Sequence, residues 1–377
     1  RRRDAAGTTY LEPVKISIDV EATDGQARAG TITTSRGSFP TPAFMPVGTR
    51  ASVKTIDTDD LERLGPPVVL GNTYHLMERP GADLIERRGG LHTFLDWSGH
   101  MLTDSGGYQI FSLEPKITEQ GARFRSVYDG SYVELSPERS VQVQQQLGAD
   151  IAMVLDVCPP LPSERHVQVD ALERTLRWAE RSKGAHDRDD QAQFGIVQGG
   201  VDLELREDSA RRTVEIGFDG YAVGGLSVGE TRDQMVPALA AATAHLPSGK
   251  PRYFMGLGDP MGLVEAVANG VDMFDCVLPT RLARHGTALT SQGRLNLRNL
   301  KFAEDDGPID PGFTHPLSSR YSRAYIRHLL VTNEPTAGRI ITLHNLAWLL
   351  DLTARMRRAI VAGTFEDLRT EVAAIWA

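Results

Sequence analysis

This sequence of 377 residues has few cysteines, no long apolar run and no excess of positive over negative charge. Each of these features argues against a class of protein. The two cysteines, Cys158 and Cys276, cannot form a disulfide framework, nor a zinc site by themselves. No stretch approaches the ~18 apolar residues of a membrane span. Residues 1–4 are basic but lack an apolar core behind them, so they do not predict a secretory signal. The expectation is a cytoplasmic protein without a membrane partner.

A formal net charge of −8 argues against indiscriminate nucleic-acid binding, which normally requires a basic protein. Apolar and charged contents of 41% and 24% are typical of a soluble globular enzyme. Positive charge is nevertheless concentrated between residues 279 and 328, where basic residues outnumber acidic ones. The basic residues there are Arg281, Arg284, Arg294, Arg298, Lys301, Arg320, Arg323 and Arg327. Charge alone does not separate a local RNA-binding patch from a solvated face.

Short apolar runs, each followed by a Gly- or Pro-containing loop and mostly by a helical stretch, recur along the chain. The eight runs end at residues 43–46, 68–71, 101–104, 152–156, 194–198, 221–225, 253–256 and 273–275. Near-continuous apolar strands suit a parallel sheet that is buried on both faces. The repeated units predict an α/β protein with a (β/α)8 TIM barrel, and a doubly wound sheet is the alternative.

Several segments depart from the repeat. Residues 113–135 predict an inserted hairpin after strand 3, and a loop-rich segment after residue 286 leads into a C-terminal helical subdomain. Residues 1–12 predict a loose N-terminal extension, and residues 13–377 a single barrel domain.

Ser136 and Pro137 predict the start of a helix that ends at Gly148, and Ser163 and Thr231 are predicted to cap two further helices.

Two carboxylates, Asp104 and Asp275, each end an apolar run. Carboxylates at strand ends of parallel α/β folds are suited to acid–base and nucleophilic chemistry. A lone Asp is more often a helix cap, but other strand ends of the predicted barrel carry polar or glycine-rich positions. In such a barrel the carboxyl ends of all strands meet at one opening, here called the mouth. The further residues predicted at the mouth are Ser105, Asp156, Gln198, Gly225 and Leu226.

The residue types at this mouth suit a planar heterocycle. Asp156 can accept hydrogen bonds from adjacent N–H groups of a guanine-like edge, and Gln198 can both donate and accept. Gly225 allows backbone amides to approach a flat ligand closely, and Tyr108 and Met255 can enclose a ring between them. The residues alone predict a barrel enzyme that uses two carboxylates on a heterocyclic glycoside.

Six motifs resemble those of the tRNA-guanine transglycosylase family, in that family's order over residues from about 15 to 350. They are residues 71–76 (GNTYHL), 103–109 (TDSGGYQ), 195–200 (GIVQGG), 224–230 (GGLSVGE), 252–256 (RYFMG) and 273–284 (MFDCVLPTRLAR). The resemblance implies a (β/α)8-barrel enzyme of queuosine biosynthesis that exchanges guanine at the tRNA wobble position for a 7-deazaguanine base. It implies Asp275 as nucleophile on the ribose anomeric carbon and Asp104 as proton acceptor and donor, in a retaining double displacement.

The resemblance also implies binding residues and partners. The implied base-binding positions are Asp104, Ser105, Gly106, Gly107, Tyr108, Asp156, Gln198, Gly225, Leu226 and Met255. The implied tRNA-binding positions are Gly256, Leu257, Gly258, Thr280, Arg281, Leu282, Ala283 and Arg284. The partners are tRNA with a wobble G, guanine, the 7-deazaguanine base and a second copy in a homodimer. Cys158 and Val228 match the bacterial branch, which favours 7-aminomethyl-7-deazaguanine over the bulkier queuine.

The chain departs from the family at the structural zinc site. In the family this site has the motif Asp-Pro-X-Cys-X-Cys-X-X-Cys, followed later by a histidine. Phe313, His315 and Ser318 stand at the cysteine positions, and His344 is the later histidine. Two histidines and a serine are a poor tetrahedral set. The sequence therefore predicts no structural zinc and no other cofactor in a degenerate zinc-type subdomain at about residues 287–350, with a weak His315/His344 site as the alternative.

Two other functions stay open. One is a related transglycosylase that acts on DNA, against which the retained Arg281 and Arg284 speak. The other is a non-catalytic tRNA-binding subunit, against which the retention of both Asp104 and Asp275 speaks. Val157 and Asp259 also differ from the residues usual in the family, and Asp259 puts one phosphate contact in doubt.

Overall fold

Eight parallel strands close into a barrel in the computed structural model, which describes residues 2–3, 9–10, 15–113 and 115–377. The strands are β1 (Ala43–Gly48), β2 (Val68–Gly71), β3 (His100–Thr103), β4 (Ile151–Met153), β5 (Ala192–Val197), β6 (Gly220–Val223), β7 (Arg252–Phe254) and β8 (Met273–Cys276). Each strand pairs with the next, and β8 pairs with β1. The predicted TIM barrel is confirmed, and closure excludes the doubly wound sheet.

Every residue of β1 to β7 is buried, as near-continuous apolar runs require when helices cover the outside of a packed barrel. Only β8 has partly exposed residues, Asp275 and Cys276, at its carboxyl end. The helices of the barrel are Thr58–Leu64, Thr73–Leu76, Ala82–Arg87, Gly90–Leu95, Gly107–Phe111, Pro137–Leu147, Arg165–Ala185, Leu203–Ile216, Arg232–Thr243, Pro260–Ala268 and Leu278–Arg284. The segment Met77–Gly81 is a kink between two of them, at which Arg79 has extended backbone.

The predicted helix boundaries hold with one exception. Ser136 caps the helix Pro137–Leu147 by accepting from the Arg139 backbone N–H, and Thr231 is the N-cap of the helix Arg232–Thr243. The prediction for Ser163 is wrong, because the N-cap of the helix Arg165–Ala185 is Glu164. The Ser163 hydroxyl instead accepts from the Gln168 side chain, one turn into the helix.

Four smaller sheets accompany the barrel in the described part of the chain. The insertion after β3 is confirmed and is a three-stranded antiparallel sheet, Lys116–Ile117, Ala122–Arg125 and Tyr132–Leu135. The strands Ile16–Asp24, Ala27–Thr34 and Gly37–Thr41 precede the barrel, and Thr287–Thr290 pairs with Gly293–Asn296 after it. Of the predicted loose extension at residues 1–12, Arg2–Arg3 pairs with Thr9–Tyr10, and the rest lies outside the described residues.

The C-terminal part is helical, as predicted. It contains a 3-10 turn at Leu300–Phe302 and the helices Arg323–Val331, Pro335–Ala362 and Phe365–Trp376. The long helix Pro335–Ala362 packs against β1, the N-terminal sheet and the helix Leu278–Arg284. Its Arg339 forms an ion pair of 2.5 Å with the buried Asp60, which fixes this helix to the first helix of the barrel. Across the described residues, no helix combines the length and apolarity needed to cross a bilayer.

A buried glutamine joins three elements directly beneath the barrel mouth. The Gln144 side chain donates to the Met153 carbonyl and accepts from the Met153 N–H, both at 2.8 Å, at the end of β4. Its oxygen also accepts from the Thr103 hydroxyl at the end of β3, at 3.2 Å. Gln144 thereby satisfies backbone groups that the short strand β4 leaves unpaired.

Replacing this amide should therefore destabilise the protein. We expect Gln144→Leu to lower the free energy of unfolding by about 3 kcal/mol, because two buried backbone groups of Met153 lose their partner. Gln142→Leu, on the exposed face of the same helix, is the control and should change stability by less than about 0.5 kcal/mol. Urea unfolding followed by circular dichroism measures both, and equal effects would contradict the assignment.

Candidate active site

A cavity of about 230 Å³ opens at the carboxyl ends of the barrel strands. It is lined by most of the predicted site residues, namely Asp104, Ser105, Gly107, Tyr108, Asp156, Gly225, Leu226, Met255, Gly256 and Asp275. Gly106 and Gln198 stand behind this surface and contact lining residues. The strand ends therefore bring together residues that are up to 171 positions apart, as the barrel topology predicts.

Asp104 is held by three N–H donors. Its Oδ1 accepts from the backbone N–H groups of Thr73 at 2.9 Å and Gly106 at 3.1 Å, and its Oδ2 accepts from the Asn72 amide at 2.5 Å. Burial raises the pKa of Asp104 to about 7, the nearby Asp275 adds to this rise, and the three donors oppose it. A carboxyl group that titrates near neutral pH can both accept and donate a proton.

Asp275 is held from the opposite side of the barrel. Its Oδ1 accepts from the Tyr253 hydroxyl at 2.5 Å and from the Gly256 N–H at 2.8 Å. Burial raises the pKa of Asp275 above its ordinary value, although both hydrogen bonds oppose the rise. Within the described chain, Oδ2 of Asp275 has no hydrogen-bond donor, so this oxygen is available to a ligand in the cavity.

Asp156 and Gln198 form a second polar pair at the base of the cavity. The Gln198 amide donates to Oδ2 of Asp156 at 2.6 Å, and the Ser105 hydroxyl lies 3.5 Å from Oδ1. Burial raises the pKa of Asp156 to about 6. The buried Gln198 Oε1 has no hydrogen-bond partner in the described structure. A buried acceptor of this kind requires a hydrogen-bond partner that the described residues do not supply.

The glycine pair at the end of β6 is required by close packing against this glutamine. Gly225 has φ +65°, a left-handed conformation that favours glycine. A Cβ atom there would collide with Gln198 Oε1, and one on Gly224 would lie 2.8 Å from the Ile196 side chain. Any larger residue would therefore displace either the backbone or the amide.

Arg206 fastens the strand ends that carry this pair, and the sequence motifs gave no indication of it. Its buried guanidinium donates to the carbonyls of Val197 at 3.0 Å, Gly200 at 2.7 Å, Gly224 at 2.7 Å and Gly225 at 3.0 Å. Burial lowers the pKa of Arg206 to about 10. Because it lies on the helix after β5, only the folded barrel brings it beneath the next strand.

Asn72, Thr73 and Tyr253 were also absent from the predicted site residues. Asn72 and Thr73 belong to the GNTYHL motif, and Tyr253 belongs to the RYFMG motif. Membership of these motifs was the feature of the sequence that could have identified them as site residues. Their role depends on which carboxylate each one reaches, and the sequence does not specify that.

The cavity also contains both cysteines and Val228. Burial raises the pKa of the Cys158 and Cys276 thiols to about 12, and the neighbouring Asp156 and Asp275, respectively, add to the rise. Both therefore stay neutral thiols near pH 7 and lack the thiolate that a nucleophilic cysteine requires.

The predicted tRNA-binding residues divide into exposed and buried sets. Arg281 and Arg284 are exposed on the helix Leu278–Arg284. Leu257, Thr280 and Ala283 are buried, and Leu282 packs on the barrel core, so these side chains cannot reach a large ligand at the surface. A Cβ atom at Gly258 would collide with the Cys276 side chain, which explains this glycine by packing.

The other basic residues of the 279–328 segment are partly engaged in the fold. Arg323 pairs with Asp305 at 3.1 Å, and Arg298 donates to the Leu330 carbonyl at 2.8 Å. Asp259 caps the helix Pro260–Ala268 and pairs with Arg232 at 2.9 Å, so its charge is compensated. Arg298 and Arg323 therefore help to hold the fold together, whereas Arg281 and Arg284 are exposed.

The residues at the zinc-ligand positions contact one another without offering a metal site. His344 Nε2 lies 2.8 Å from the Leu289 carbonyl, which can only accept, so Nδ1 is left to accept from the Ser318 hydroxyl at 3.3 Å. Burial lowers the pKa of His344 to about 4. The Phe313 ring stacks on His315 and meets His344 edge-on, at centroid distances of 6.4 Å and 5.7 Å. These residues do not fit tetrahedral zinc, and the described residues contain no group of three or more ligating side chains.

Fold and site together define a protein of the (β/α)8-barrel class with two buried carboxylates, Asp104 and Asp275, at one cavity. The family model described as queuine tRNA-ribosyltransferase matches residues 23–377. The chain is 51% identical to a queuine tRNA-ribosyltransferase of Halothermothrix orenii over 92% of its own length and 93% of that protein. It is 49% identical to the queuine tRNA-ribosyltransferase of Pelotomaculum thermopropionicum, over 95% of its own length and 97% of that protein. It is 50% identical to the queuine tRNA-ribosyltransferase of Staphylococcus aureus, over 92% of both chains. The chain belongs to the queuine tRNA-ribosyltransferase family and is thus a pentosyltransferase.

The raised pKa of Asp104 predicts a pH-dependent effect on stability. Folding raises this pKa from its ordinary value of 3.8 to about 7, so between these pH values the folded protein holds a proton that the unfolded chain has released. Stability attributable to Asp104 is then lost as pH rises through this window. We expect the melting temperature of wild type to fall relative to that of Asp104→Asn between about pH 4 and pH 7.

The matched control is Asp189→Asn, which removes an exposed carboxylate far from the cavity. Its melting temperature should follow that of wild type at every pH. Calorimetry across the pH range measures all three proteins. A difference between wild type and Asp104→Asn that does not vary with pH would show that Asp104 titrates normally.

Proposed function

We propose that this pentosyltransferase exchanges guanine at the wobble position of tRNA for 7-aminomethyl-7-deazaguanine, a step in queuosine biosynthesis. The observation that carries the proposal is the pair of carboxylates, Asp104 and Asp275, that face one cavity beside an orphaned amide acceptor. The relatives that bear the name queuine tRNA-ribosyltransferase support it over more than nine-tenths of the chain.

Asp275 acts as the nucleophile in this proposal. Its Oδ2 attacks the ribose anomeric carbon as the bond from that carbon to guanine breaks, and a covalent glycosyl ester forms. The Tyr253 hydroxyl and the Gly256 N–H fix Oδ1 and leave Oδ2 directed at the substrate. The incoming base then attacks the same carbon and displaces the carboxylate, so two inversions retain the configuration.

Asp104 manages the proton in both halves of the exchange. Guanine departs with the bonding electron pair and takes up a proton, whereas the incoming base must give one up. With its pKa raised to about 7, Asp104 can supply the first proton and accept the second near neutral pH.

Asp156 and Gln198 recognise the base in this proposal. The Asp156 carboxylate accepts from the adjacent N–H groups of a guanine-like edge, and the unpartnered Gln198 Oε1 accepts a further N–H. Cys158 and Val228 line the same cavity, and the bulk of Val228 restricts the space for the ring substituent of queuine. This supports the smaller 7-aminomethyl base.

The target nucleotide must leave its stack to reach the cavity. The exposed Arg281 and Arg284 lie directly after β8, on the helix that follows the nucleophile, where they can contact nucleotides beside the target. The proposal includes a homodimer that works in the cytoplasm, and the family resemblance is what supports both.

Guanine exchange tests the proposal. We expect wild type to incorporate labelled guanine into tRNA that bears a wobble G, and Asp275→Ala to lose at least 1,000-fold of this rate because no covalent intermediate forms. Asp189→Ala is the surface control. Denaturing gels should show a tRNA adduct with wild type that Asp275→Ala lacks. Exchange into DNA but not tRNA, or none by folded wild type, would replace this function with one of the two alternatives.

We also propose that the zinc-type subdomain folds without metal, held by the Ser318–His344 hydrogen bond and the Phe313 ring. Purified wild type should contain far less than one zinc per chain by mass spectrometry, and a chelator should leave its melting temperature unchanged. The triple variant Phe313→Cys, His315→Cys, Ser318→Cys supplies a Cys₃His set with His344 and should take up about one zinc. Stoichiometric zinc in wild type that His315→Ala abolishes would favour the His315/His344 site instead.

A further inference from the structure

Two arginines pack on one tyrosine ring beside the cavity. The guanidinium carbons of Arg50 and Arg79 lie 5.2 Å and 4.7 Å from the centroid of the Tyr128 ring. The Tyr128 hydroxyl lies 2.9 Å from His75 Nδ1. These four residues, here called the arginine–tyrosine cluster, come from three separate segments: the loop after β1, the segment after β2 and the inserted sheet.

The cluster leaves its positive charge available to a partner. Arg50 and Arg79 are both exposed, and within the described chain neither forms an ion pair with a carboxylate. Asp129 on the inserted sheet accepts from the Ser131 N–H and hydroxyl at 3.0 Å and 2.7 Å, and Arg79 is close enough to help lower the pKa of Asp129 without forming an ion pair with it. Stacking on an aromatic ring orients a guanidinium while its N–H edge stays free for a planar anion.

The cluster is also fixed relative to the catalytic carboxylates. Thr49, next to Arg50, lines the cavity. Asn72 donates to Asp104 at 2.5 Å and accepts from the His75 N–H at 3.1 Å, and His75 in turn contacts Tyr128. A short chain of hydrogen bonds thus joins the ring under the arginines to the proton-transferring carboxylate.

We propose that Arg50 and Arg79, held on the Tyr128 ring, bind backbone phosphates of the tRNA whose target base occupies the cavity. This rests on the proposed function. Guanidinium groups pair with phosphate through two parallel N–H donors, and their prior orientation reduces the entropy lost on binding. They give an acidic protein a local anchor for RNA that does not depend on Arg281 and Arg284.

The test compares two charge-matched double variants. Arg50→Gln/Arg79→Gln removes the proposed contacts. Arg87→Gln/Arg88→Gln removes two exposed arginines at the other end of the barrel, where nearby His92 contacts Asp150 at the start of β4, at 3.1 Å. We measure kcat and KM for tRNA and for the base in guanine exchange, at several salt concentrations.

The cluster variant should raise the KM for tRNA about tenfold at ~100 mM salt, with kcat and the KM for base unchanged within about twofold. For this variant, the slope of log kcat/KM for tRNA against log salt concentration should be less steep by roughly 1 to 2. Each lost phosphate contact contributes about 0.7 to 0.9 to that slope. Tyr128→Leu, which keeps both charges without the ring, should give an intermediate KM, and Tyr128→Phe should restore most of the affinity.

Other outcomes overturn the inference. If wild type exchanges guanine in tRNA but the cluster variant behaves like the Arg87/Arg88 control, the cluster is a solvated surface and only this inference fails. The same holds if the variant changes the oligomeric state and leaves the salt dependence intact, because the cluster then binds protein. If wild type does not exchange guanine in tRNA at all, the proposed function fails first, and this inference with it.

Discussion

Closure of the strand ring is the constraint on which everything else in this protein depends. The pairing of β8 with β1 brings the two ends of a chain segment of more than 230 residues side by side and directs all eight strand ends to one mouth. Without that pairing, Asp275 and the loop after β1 would have no relation to each other. With it, Asp275, Asp104 and Asp156 share a single cavity.

The site is built with neutral hydrogen-bond donors close to its carboxylates. Amide, hydroxyl and backbone N–H groups hold Asp104, Asp275 and Asp156, and in the described structure none of the three forms an ion pair. A cation in contact would keep the carboxylates ionised and lower their pKa. Neutral donors position them while burial raises the pKa of Asp104 and Asp156 toward neutrality. Positive charge lies instead on exposed arginines that follow β1 and β8, namely Arg50, Arg281 and Arg284.

In the C-terminal subdomain, the residues at the zinc-ligand positions are held by contacts within the protein. Ser318 and His344 are buried and satisfy each other, and Phe313 packs on the barrel core. The long helix Pro335–Ala362 contacts β1, the N-terminal sheet and the helix that carries Arg281 and Arg284. Such contacts supply burial and fixed orientation, which a structural metal supplies in other proteins.

The sequence by itself determined the repeated strand–helix units, the two carboxylates at strand ends and the loss of the cysteine ligands, because these features reside in local apolar patterns and in residue identity. It misplaced the cap at Ser163 by one residue, because Ser163 bonds a side chain one turn away rather than the helix backbone. Tertiary structure alone decided which donor reaches which carboxylate. Tyr253 and Asp275 are 22 residues apart, and Asn72 and Asp104 are 32. The pKa of Asp104, the position of Arg206 beneath the glycine pair and the packing of two arginines on Tyr128 likewise depend on burial and on long-range contacts that exist only once the barrel has closed.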